Sequence, residues 1–445
     1  KMLVSVPVTV SRDLDKIVAS GKITAVTNLN QTDYFVFSGE PMGFSFEMLR
    51  RFANHIGVTL EIIPENDIDK AFDMMQSGSA DIMAMSLTVN SGRKEMMAFT
   101  DPLFETRQVL VQRKPEGWRT MTLDAIDKKL LRSQHSLAGK SVHVQKGSSY
   151  RQSLTVLGQE SGEKINVIDV PYDSEELVKQ VARGEIEMTV CDEYICGLMS
   201  KLYPDLDFKT PVSFPQKVSW GMRKTGSENL LKEFNTWLAS YTATNEYAYL
   251  ESKYFRGNRI ARLLSPTFSH PFSPYDDLIR QYSDTIGWDW KLLASLIYQE
   301  SRFDPKVRSR SGAYGLMQVL PATGRHFGLD VTKSVDNNIR AGIKYIRYLD
   351  NIFAGKIPDN EERVKFILAA YNAGQGHVLD AMALAGKNGF DPQKWDNNVA
   401  LFLAKKSEPE VYSDPDVKFG SLRGEAVNNY VEAILDRYGH YKNMK

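Results

Sequence analysis

The feature that most constrains this chain is a change in its hydrophobic pattern near residue 257. Between about Gly21 and Arg256, short apolar runs alternate with helical runs of roughly ten residues, a pattern that predicts βαβ units and a mostly parallel sheet. After about residue 271 only helical spacing remains. The change predicts two kinds of domain, and 445 residues are long enough for both.

The N-terminal part contains two similar α/β blocks, which predicts a module of two lobes. Extended runs at 108–114 and 216–223 are placed where the chain would cross between the blocks. The run NRIARLLSPTFSHPFSPYDD contains three prolines and several serines, so 257–270 is predicted to be a linker. The sequence therefore predicts a multidomain fold, with a two-lobed α/β module over 1–256 and an all-α domain over 271–445.

The charge balance excludes a chain-wide attraction to nucleic acid. Lys and Arg together number 55, as do Asp and Glu, so binding of an acidic polymer would need a specific pocket. The His residues are scattered and the two Cys lack metal-ligand spacing, so we expect no metal and no other cofactor. Cys191 and Cys196, in CDEYIC, form either a small disulfide or two buried thiols.

A membrane-spanning helix is not predicted. No run of about 20 apolar residues occurs, which is the length that such a helix needs. The first residues, KMLVSVPVTV, are too short for a complete signal peptide. We therefore expect a mature or truncated form, with any membrane anchor upstream of Lys1.

Glu300 is the first candidate for chemistry in the helical domain. It shares the apolar face of its helix with three aliphatic residues, Leu293, Leu296 and Ile297. Burial disfavours a charged carboxylate and raises its pKa, which is what a general acid for a glycosidic oxygen needs near neutral pH. The alternative is an ion pair with Arg302 or Arg308, and the helix alone favours that alternative.

Two segments downstream of Glu300 change that balance. SGAYGLMQVLPATG contains glycines that let backbone approach a ligand, Gly315 among them, and its Met317 and Gln318 suit a sugar that carries an N-acetyl group. ILAAYNAGQGHV places Tyr371 and Asn372 at a helix end. Near the end of the chain, Tyr430 shares a helical face with apolar residues, so it is either a core aromatic or part of the site.

These motifs together resemble the family 1 lytic transglycosylases, which have a goose-type lysozyme-like fold. The matching residues are, in chain order, Glu300-Ser301, Gly315-Leu316-Met317-Gln318, Ala370-Tyr371-Asn372 and Tyr430. The resemblance covers roughly 271–441. It is specific because four motifs occur in the right order, although each alone is weak.

The resemblance implies a chemistry for these residues. Glu300 would protonate the oxygen between N-acetylmuramic acid and N-acetylglucosamine, and then act as the base when the sugar's own 6-hydroxyl closes a 1,6-anhydro ring. Ser301, Gly315, Met317, Gln318, Tyr371 and Asn372 would position the glycan. Tyr430 would orient Glu300. Asp304, one turn further on, is not used by the family, so no second carboxylate comes from the motifs.

In the N-terminal module, polar residues cluster where strands end. Ser86, Thr88 and Arg93 follow one predicted strand, Ser148 and Ser149 open a helix after another, and Asp192 follows a third. An Arg, a helix N-terminus and an Asp in one cleft would bind a zwitterion. Tyr34 is predicted to line the same pocket. The alternatives are a surface ion pair for Arg93, a helix cap for Asp192 and an aromatic core position for Tyr34.

This module resembles the type II periplasmic solute-binding proteins for amino acids over about 21–256. The order and spacing of GKITAVTNLN, EPMGFSFEML, ADIMAMSLTVNSGRKEMMAFTDPLF, GKSVHVQKGSSY and MTVCDEY carry the resemblance. Fusion to an enzyme suggests a regulatory module that senses an amino acid or a cell-wall peptide. The two resemblances imply a peptidoglycan-cleaving enzyme of the periplasm, associated with the outer membrane; the alternatives are a non-catalytic cell-wall sensor and a hydrolytic lysozyme.

Overall fold

The computed structural model describes residues 11–162, 164–256 and 272–444. These residues divide into two compact units, and the short segment 36–40 groups with the C-terminal one rather than with its neighbours in sequence. The predicted linker, 257–270, lies outside the described residues. The fold class is confirmed: the first unit is α/β with two lobes, and the second is built from helices.

The strands all belong to the N-terminal part of the chain. They are β1 (Lys22–Thr27), β2 (Phe35–Phe37), β3 (Glu40–Met42), β4 (Thr59–Pro64), β5 (Ile82–Thr88), β6 (Met97–Phe99), β7 (Phe104–Thr106), β8 (Gln108–Arg113), β9 (Ser141–Gln145), β10 (Asn166–Val170), β11 (Met188–Asp192), β12 (Leu206–Pro211) and β13 (Gln216–Arg223).

The helices of the first unit lie before, between and after these strands. They are α1 (Leu14–Ser20), α2 (Phe44–His55), α3 (Ile68–Gln76), α4 (Ser91–Met96), α5 (Leu123–Asp127), α6 (Tyr150–Ser161), α7 (Ser174–Arg183), α8 (Glu193–Leu202), α9 (Glu228–Tyr241) and α10 (Asn245–Glu251). Short 3₁₀ turns occur at Trp118–Thr120 and Gln134–Leu137, and a π turn at Ser252–Arg256.

Each lobe of the first unit is built on one sheet. The first sheet has the order β4-β1-β5-β13-β6, with β7 also paired to β13, and the second has the order β10-β9-β11-β8-β12. The chain passes to the second sheet between β7 and β8 and returns between β12 and β13. The strands β5, β9 and β11 end at Thr88, Gln145 and Asp192. Ligands of open α/β sheets bind at such carboxyl ends.

The sheets are mixed, which corrects the expectation of a mostly parallel sheet. β1 pairs in parallel with β4 and β5, and β9 with β10 and β11. β8 and β13 instead pair antiparallel with their neighbours. Both strands arrive from the other lobe without a helical crossover on their own sheet, and a parallel pair needs such a crossover.

The second unit is a helical domain around one apolar core. Its helices are α11 (Asp276–Asp284), α12 (Trp290–Ser301), α13 (Pro321–His326), α14 (Val335–Phe353), α15 (Asn360–Ala373), α16 (Gln375–Lys387), α17 (Ala400–Lys405), α18 (Pro409–Tyr412) and α19 (Gly424–Lys442), with a π turn at Trp395–Val399. The core contains α12 residues from Leu292 to Ile297, which are almost all fully buried. The Ser295 hydroxyl donates to the Ile434 carbonyl at 2.7 Å and ties α12 to α19.

Candidate active site and binding cavity

Glu300 lies in the last turn of α12. Asp289 caps the start of the helix, where its side chain accepts the Lys291 N–H, and the helix ends where Arg302 adopts a left-handed backbone with φ of 52°. The residues before Glu300 are buried in the core, and Glu300 itself is half-buried. The carboxyl group is therefore held at the edge of the core, where solvent and a ligand can still reach it.

The Tyr430 hydroxyl, on α19, donates a hydrogen bond to Oε1 of Glu300. Burial raises the pKa of Glu300 to about 7, and the Tyr430 hydrogen bond offsets part of that rise. No charged side chain of the described residues contributes to the shift. Arg302 and Arg308 form no ion pair with Glu300, and Arg308 instead lies 5.6 Å from the ring centre of Tyr314.

Tyr371 is the second tyrosine beside Glu300. It lies at the end of α15, where Gly374 has φ of 88° and ends the helix. Its hydroxyl donates to the Met317 carbonyl at 2.8 Å. Burial raises the pKa of Tyr371 well above its usual value, and the charge of Glu300 adds to that rise. Asn372, the next residue, is exposed and remains available to a ligand.

Gln318 closes a tight loop in front of α13. Its backbone has φ of 46°, and its Nε2 donates to the carbonyls of Val307 and Gly315, both at 2.9 Å. Both bonds use the nitrogen, so Oε1 of Gln318 is left to accept a hydrogen bond from a ligand. The loop thus fixes one amide oxygen in place.

The neighbours of Gln318 serve the loop rather than a ligand. The Met317 side chain is fully buried in the core, so it is not an exposed sugar contact. A Cβ on Gly315 would lie 2.5 Å from Nδ2 of Asn338, which shows that the glycine makes room for Asn338. The Ser301 hydroxyl is buried and donates to the Ile297 carbonyl at 3.1 Å.

Asn338, on α14, supports this loop, and the sequence analysis did not single it out. Its Oδ1 accepts the Met317 N–H at 2.9 Å, and its Nδ2 donates to the Tyr314 carbonyl at 2.7 Å. The only available signal was a polar residue on the buried face of the helix VDNNIRAGI. A buried amide must find hydrogen-bond partners, and here the partners are the backbone of the loop.

In the first unit, six predicted residues line one small cavity of about 40 Å³. They are Ser86, Thr88, Arg93, Ser148, Ser149 and Asp192. Tyr34 is not among the lining residues; it is fully buried, with its ring 5.6 Å from that of Phe46. Its position fits the aromatic-core alternative, and its role in ligand binding stays a prediction.

Arg93 connects the two lobes. Its Nη1 donates to the Thr88 carbonyl at 3.0 Å, and its Nη2 donates to the Gly147 carbonyl at 2.9 Å. Thr88 ends β5 in the first lobe, and Gly147 follows β9 in the second. No ion pair of Arg93 occurs among the described residues, so the surface ion-pair alternative fails, and burial lowers the pKa of the guanidinium.

Asp192 is buried at the end of β11. Its Oδ2 accepts the Tyr150 hydroxyl at 2.7 Å, while its Oδ1 has no hydrogen-bond partner in the described part of the chain. It stands at the start of α8 but makes no capping hydrogen bond, so the helix-cap alternative fails. Burial raises the pKa of Asp192 to about 7, and the Tyr150 hydroxyl and the charge of Arg93 both act to lower it.

The cavity also contains residues that the sequence did not single out, among them Asn28, Asp33, Tyr150 and Asp173. The Ser148 hydroxyl donates to the Gln145 carbonyl at 2.6 Å, and the Ser149 hydroxyl accepts from Nε2 of Gln108 at 2.9 Å. Several lining residues lie distant in sequence from each motif, so only the three-dimensional fold brings them together.

Cys191 and Cys196 are two free, buried thiols, with their sulfur atoms 3.3 Å apart. Burial raises the pKa of Cys191 well above its usual value, so the thiol form is favoured at neutral pH. Across the described ranges, no group of three His, Cys, Asp or Glu side chains is placed to hold a metal ion.

Two family models match this chain. Residues 23–257 match the bacterial extracellular solute-binding proteins, family 3, and residues 277–393 match the transglycosylase SLT domain. The first model covers the α/β unit, and the second covers the helices that carry Glu300 and Tyr371. The two matches follow each other along the chain without overlap.

Relatives with both parts are similar over nearly the full chain. A membrane-bound lytic murein transglycosylase F of Desulfosudis oleivorans is 32% identical over 98% of this chain and 93% of its own length. One from Vibrio campbellii is 28% identical over 96% of this chain and 81% of its own length. A crystal structure of the ancestral amino acid-binding protein AncCDT-1 is 22% identical, with a TM-score of 0.46, over 55% of this chain and 99% of that protein.

Proposed function

Because the chain belongs to the membrane-bound lytic murein transglycosylase F family, we propose that Glu300 is both the acid and the base of its reaction. The chain is a peptidoglycan lytic transglycosylase with an N-terminal solute-binding module. One observation carries the assignment to Glu300. Its carboxyl group has a pKa raised to about 7 and a phenol partner, and no charged side chain in the described ranges contributes to the shift, so it is protonated in a large fraction of molecules near neutral pH.

The reaction begins with proton transfer from Glu300 to the oxygen of the β-1,4 bond between N-acetylmuramic acid and N-acetylglucosamine. The bond from this oxygen to C1 of the muramic acid breaks, and the N-acetyl oxygen of the same sugar stabilises the cationic C1. Glu300, now a carboxylate, takes the proton of the 6-hydroxyl, and O6 bonds to C1. The product is a 1,6-anhydro sugar, water is not consumed, and Glu300 ends protonated as it began.

Four side chains of the helical domain suit this reaction. Tyr430 donates to the carboxyl group and stabilises the carboxylate form that follows proton transfer. Oε1 of Gln318 and the exposed amide of Asn372 are available to the N-acetyl groups of the glycan. Tyr371 holds the Met317 carbonyl and so keeps the loop beside the cleaved bond in one conformation.

The N-terminal module binds an amino acid or a cell-wall peptide at Arg93 and Asp192 once its two lobes move apart, because the cavity of about 40 Å³ is too small for such a ligand. The carboxylate of the ligand would pair with the Arg93 guanidinium, and its ammonium group would donate to the unpaired Oδ1 of Asp192. Ser86, Thr88, Ser148 and Ser149 would complete the polar lining. Ligand binding to this module regulates the cleavage rate. If the ligand bound tightly and the full chain still cleaved glycan at the same rate, this coupling would be refuted.

The chain works in the periplasm, on the inner side of the outer membrane, where its peptidoglycan substrate lies. Relatives named membrane-bound support the association with a membrane. No helix in the described ranges is long and apolar enough to span a bilayer. Fractionation of cells that express the chain, followed by separation of the inner and outer membranes, tests the location.

The decisive experiment is mass spectrometry of peptidoglycan digested with the wild type and with Glu300→Gln. We expect anhydro-muropeptides from the wild type and a loss of about 10³-fold or more in the variant, because general acid catalysis contributes roughly 10²–10⁴-fold. Hydrated reducing ends would instead identify a lysozyme. No product from either protein, with glycan binding retained and ligand added, would identify a cell-wall sensor.

A further inference from the structure

A second pocket of the helical domain, of about 320 Å³, is not part of the site around Glu300. It lies between α13, α14 and the first residue of α16. Its main lining residues are Thr323, His326, Phe327, Tyr345, Tyr348 and Gln375. None of these residues is among those that match the family, although Thr323 and Gln375 lie in the two quoted segments.

A row of tyrosines connects this pocket to the catalytic carboxyl group. Tyr371 is close enough to Glu300 for its charge to raise the pKa of the phenol further. The ring centre of Tyr345 lies 5.3 Å from that of Tyr371, and the ring centre of Tyr348 lies 6.2 Å from that of Tyr345, nearly parallel to it. These ring contacts place the pocket next to Tyr371, and its lining residue Gln375 follows Asn372 by three positions in the chain.

The lining combines aromatic faces with neutral polar groups. The Tyr348 side chain is 40% exposed, so its ring is accessible. The Tyr345 and Tyr348 hydroxyls and the Gln375 amide make no hydrogen bond within the described ranges. Flat apolar surface with a few free donors and acceptors matches a pyranose, which has C–H faces and a polar edge.

We propose that this pocket binds an N-acetylglucosamine unit of the glycan strand, next to the sugars that are cleaved. The proposal rests on the transglycosylase function above. The volume lies at the small end of ligand pockets, which span roughly 300–1,000 Å³, and is suited to one sugar. None of the lining side chains is an Asp, Glu, Lys or Arg, so the pocket suits this neutral sugar better than a peptide stem, whose carboxylates favour Arg or Lys.

The test uses the full chain carrying Glu300→Gln, so that the glycan is bound without being cleaved. Calorimetry with N-acetylglucosamine oligomers of increasing length measures whether a longer chain gains affinity. In this background, Tyr348→Ala removes the exposed ring, and Tyr348→Phe removes only its hydroxyl. Phe390→Ala removes an equally exposed aromatic residue of the same domain, at 41% exposure, as the matched control.

We expect Tyr348→Ala to weaken binding of the longest oligomer about 3–10-fold, because an aromatic contact contributes about 0.5–1.5 kcal/mol. Tyr348→Phe should keep most of the affinity, and Phe390→Ala should keep all of it. Unchanged affinity in Tyr348→Ala would overturn the proposal, and so would a loss that appears only with muramyl peptides. Absence of any oligomer binding by the parent protein would overturn it as well.

The same variants separate this proposal from the proposed function. In the otherwise wild-type chain, we expect Tyr348→Ala to raise KM for peptidoglycan while anhydro ends remain the product. A product without anhydro ends would refute the reaction assigned to Glu300 but would leave the binding result in place. Normal anhydro products with an unchanged KM in Tyr348→Ala would refute the sugar pocket alone.

Discussion

Glu300 and Asp192 are carboxylates with the same shifted pKa in two different units. Burial raises each pKa to about 7, and each carboxyl group accepts a hydrogen bond from a tyrosine, Tyr430 or Tyr150. Only Asp192 has a cation near it, because Arg93 lines the same cavity. Among the residues that the structure describes, no cation contributes to the pKa of Glu300, and Glu300 is more accessible to solvent.

The comparison shows that a raised pKa alone does not identify a catalytic acid. A carboxyl group at the edge of a core, with no opposite charge, can give up and regain a proton during a reaction. A carboxyl group enclosed with an Arg and with one oxygen left unpaired is better suited to hold an ammonium group. The surroundings, and not the shift, separate the two roles.

The sharpest test of the comparison is pH, because it should move the two functions in opposite directions. Cleavage needs protonated Glu300, so its rate should fall as pH rises through about 7, by about 100-fold over two further units. Ligand binding needs ionised Asp192, so affinity should fall as pH drops below about 7. The rate of anhydro-end formation measures cleavage over this pH range, and calorimetry measures ligand affinity. A cleavage rate and an affinity that changed in the same direction with pH would contradict the different roles of Glu300 and Asp192.

The next largest effect should come from Asp192→Asn. Loss of the charged acceptor should weaken binding of the best amino acid or stem peptide, selected from a panel, about 30-fold, since hydrogen bonds to charged groups contribute about 1.5–3 kcal/mol. Cleavage without ligand should not change. The control is Asp124→Asn, at an exposed position of the same lobe. If calorimetry gave the two variants equal affinities, Asp192 would not be part of the binding site.

The smallest effect should come from Tyr430→Phe, which removes the hydrogen bond to Glu300. We expect kcat to fall about tenfold, the effect of about 1.4 kcal/mol. The pKa of Glu300 should rise further, because this hydrogen bond lowers it, so the fall in rate should begin at a higher pH. The control is Tyr438→Phe on the same helix as Tyr430, which loses a hydrogen bond to Asp289 and should change neither kcat nor the pH profile. An unchanged pH profile in Tyr430→Phe would show that Tyr430 serves packing alone.

The sequence was most informative where one local pattern determined the outcome. The helical spacing around Glu300 predicted that it lies on the apolar face of its helix, and the structure shows it half-buried at the edge of the core. The strand-end pattern around Arg93 and Asp192 predicted residues that line one cavity. It was least informative where distant contacts decide burial. The motif containing Met317 could not reveal that this side chain points into the core, and nothing near Gly315 indicated that Asn338 fills the space beside it.

The route of the chain between the two sheets has a consequence for the order of folding. Thr88 of β5 pairs with Val218 of β13, so the first sheet cannot be completed until the whole second lobe has been synthesised. The second sheet draws its strands from one continuous stretch, β8 to β12. During synthesis from the N-terminus, the second lobe can therefore fold before the first, and the exposed edge of β5 needs protection from aggregation in the interval.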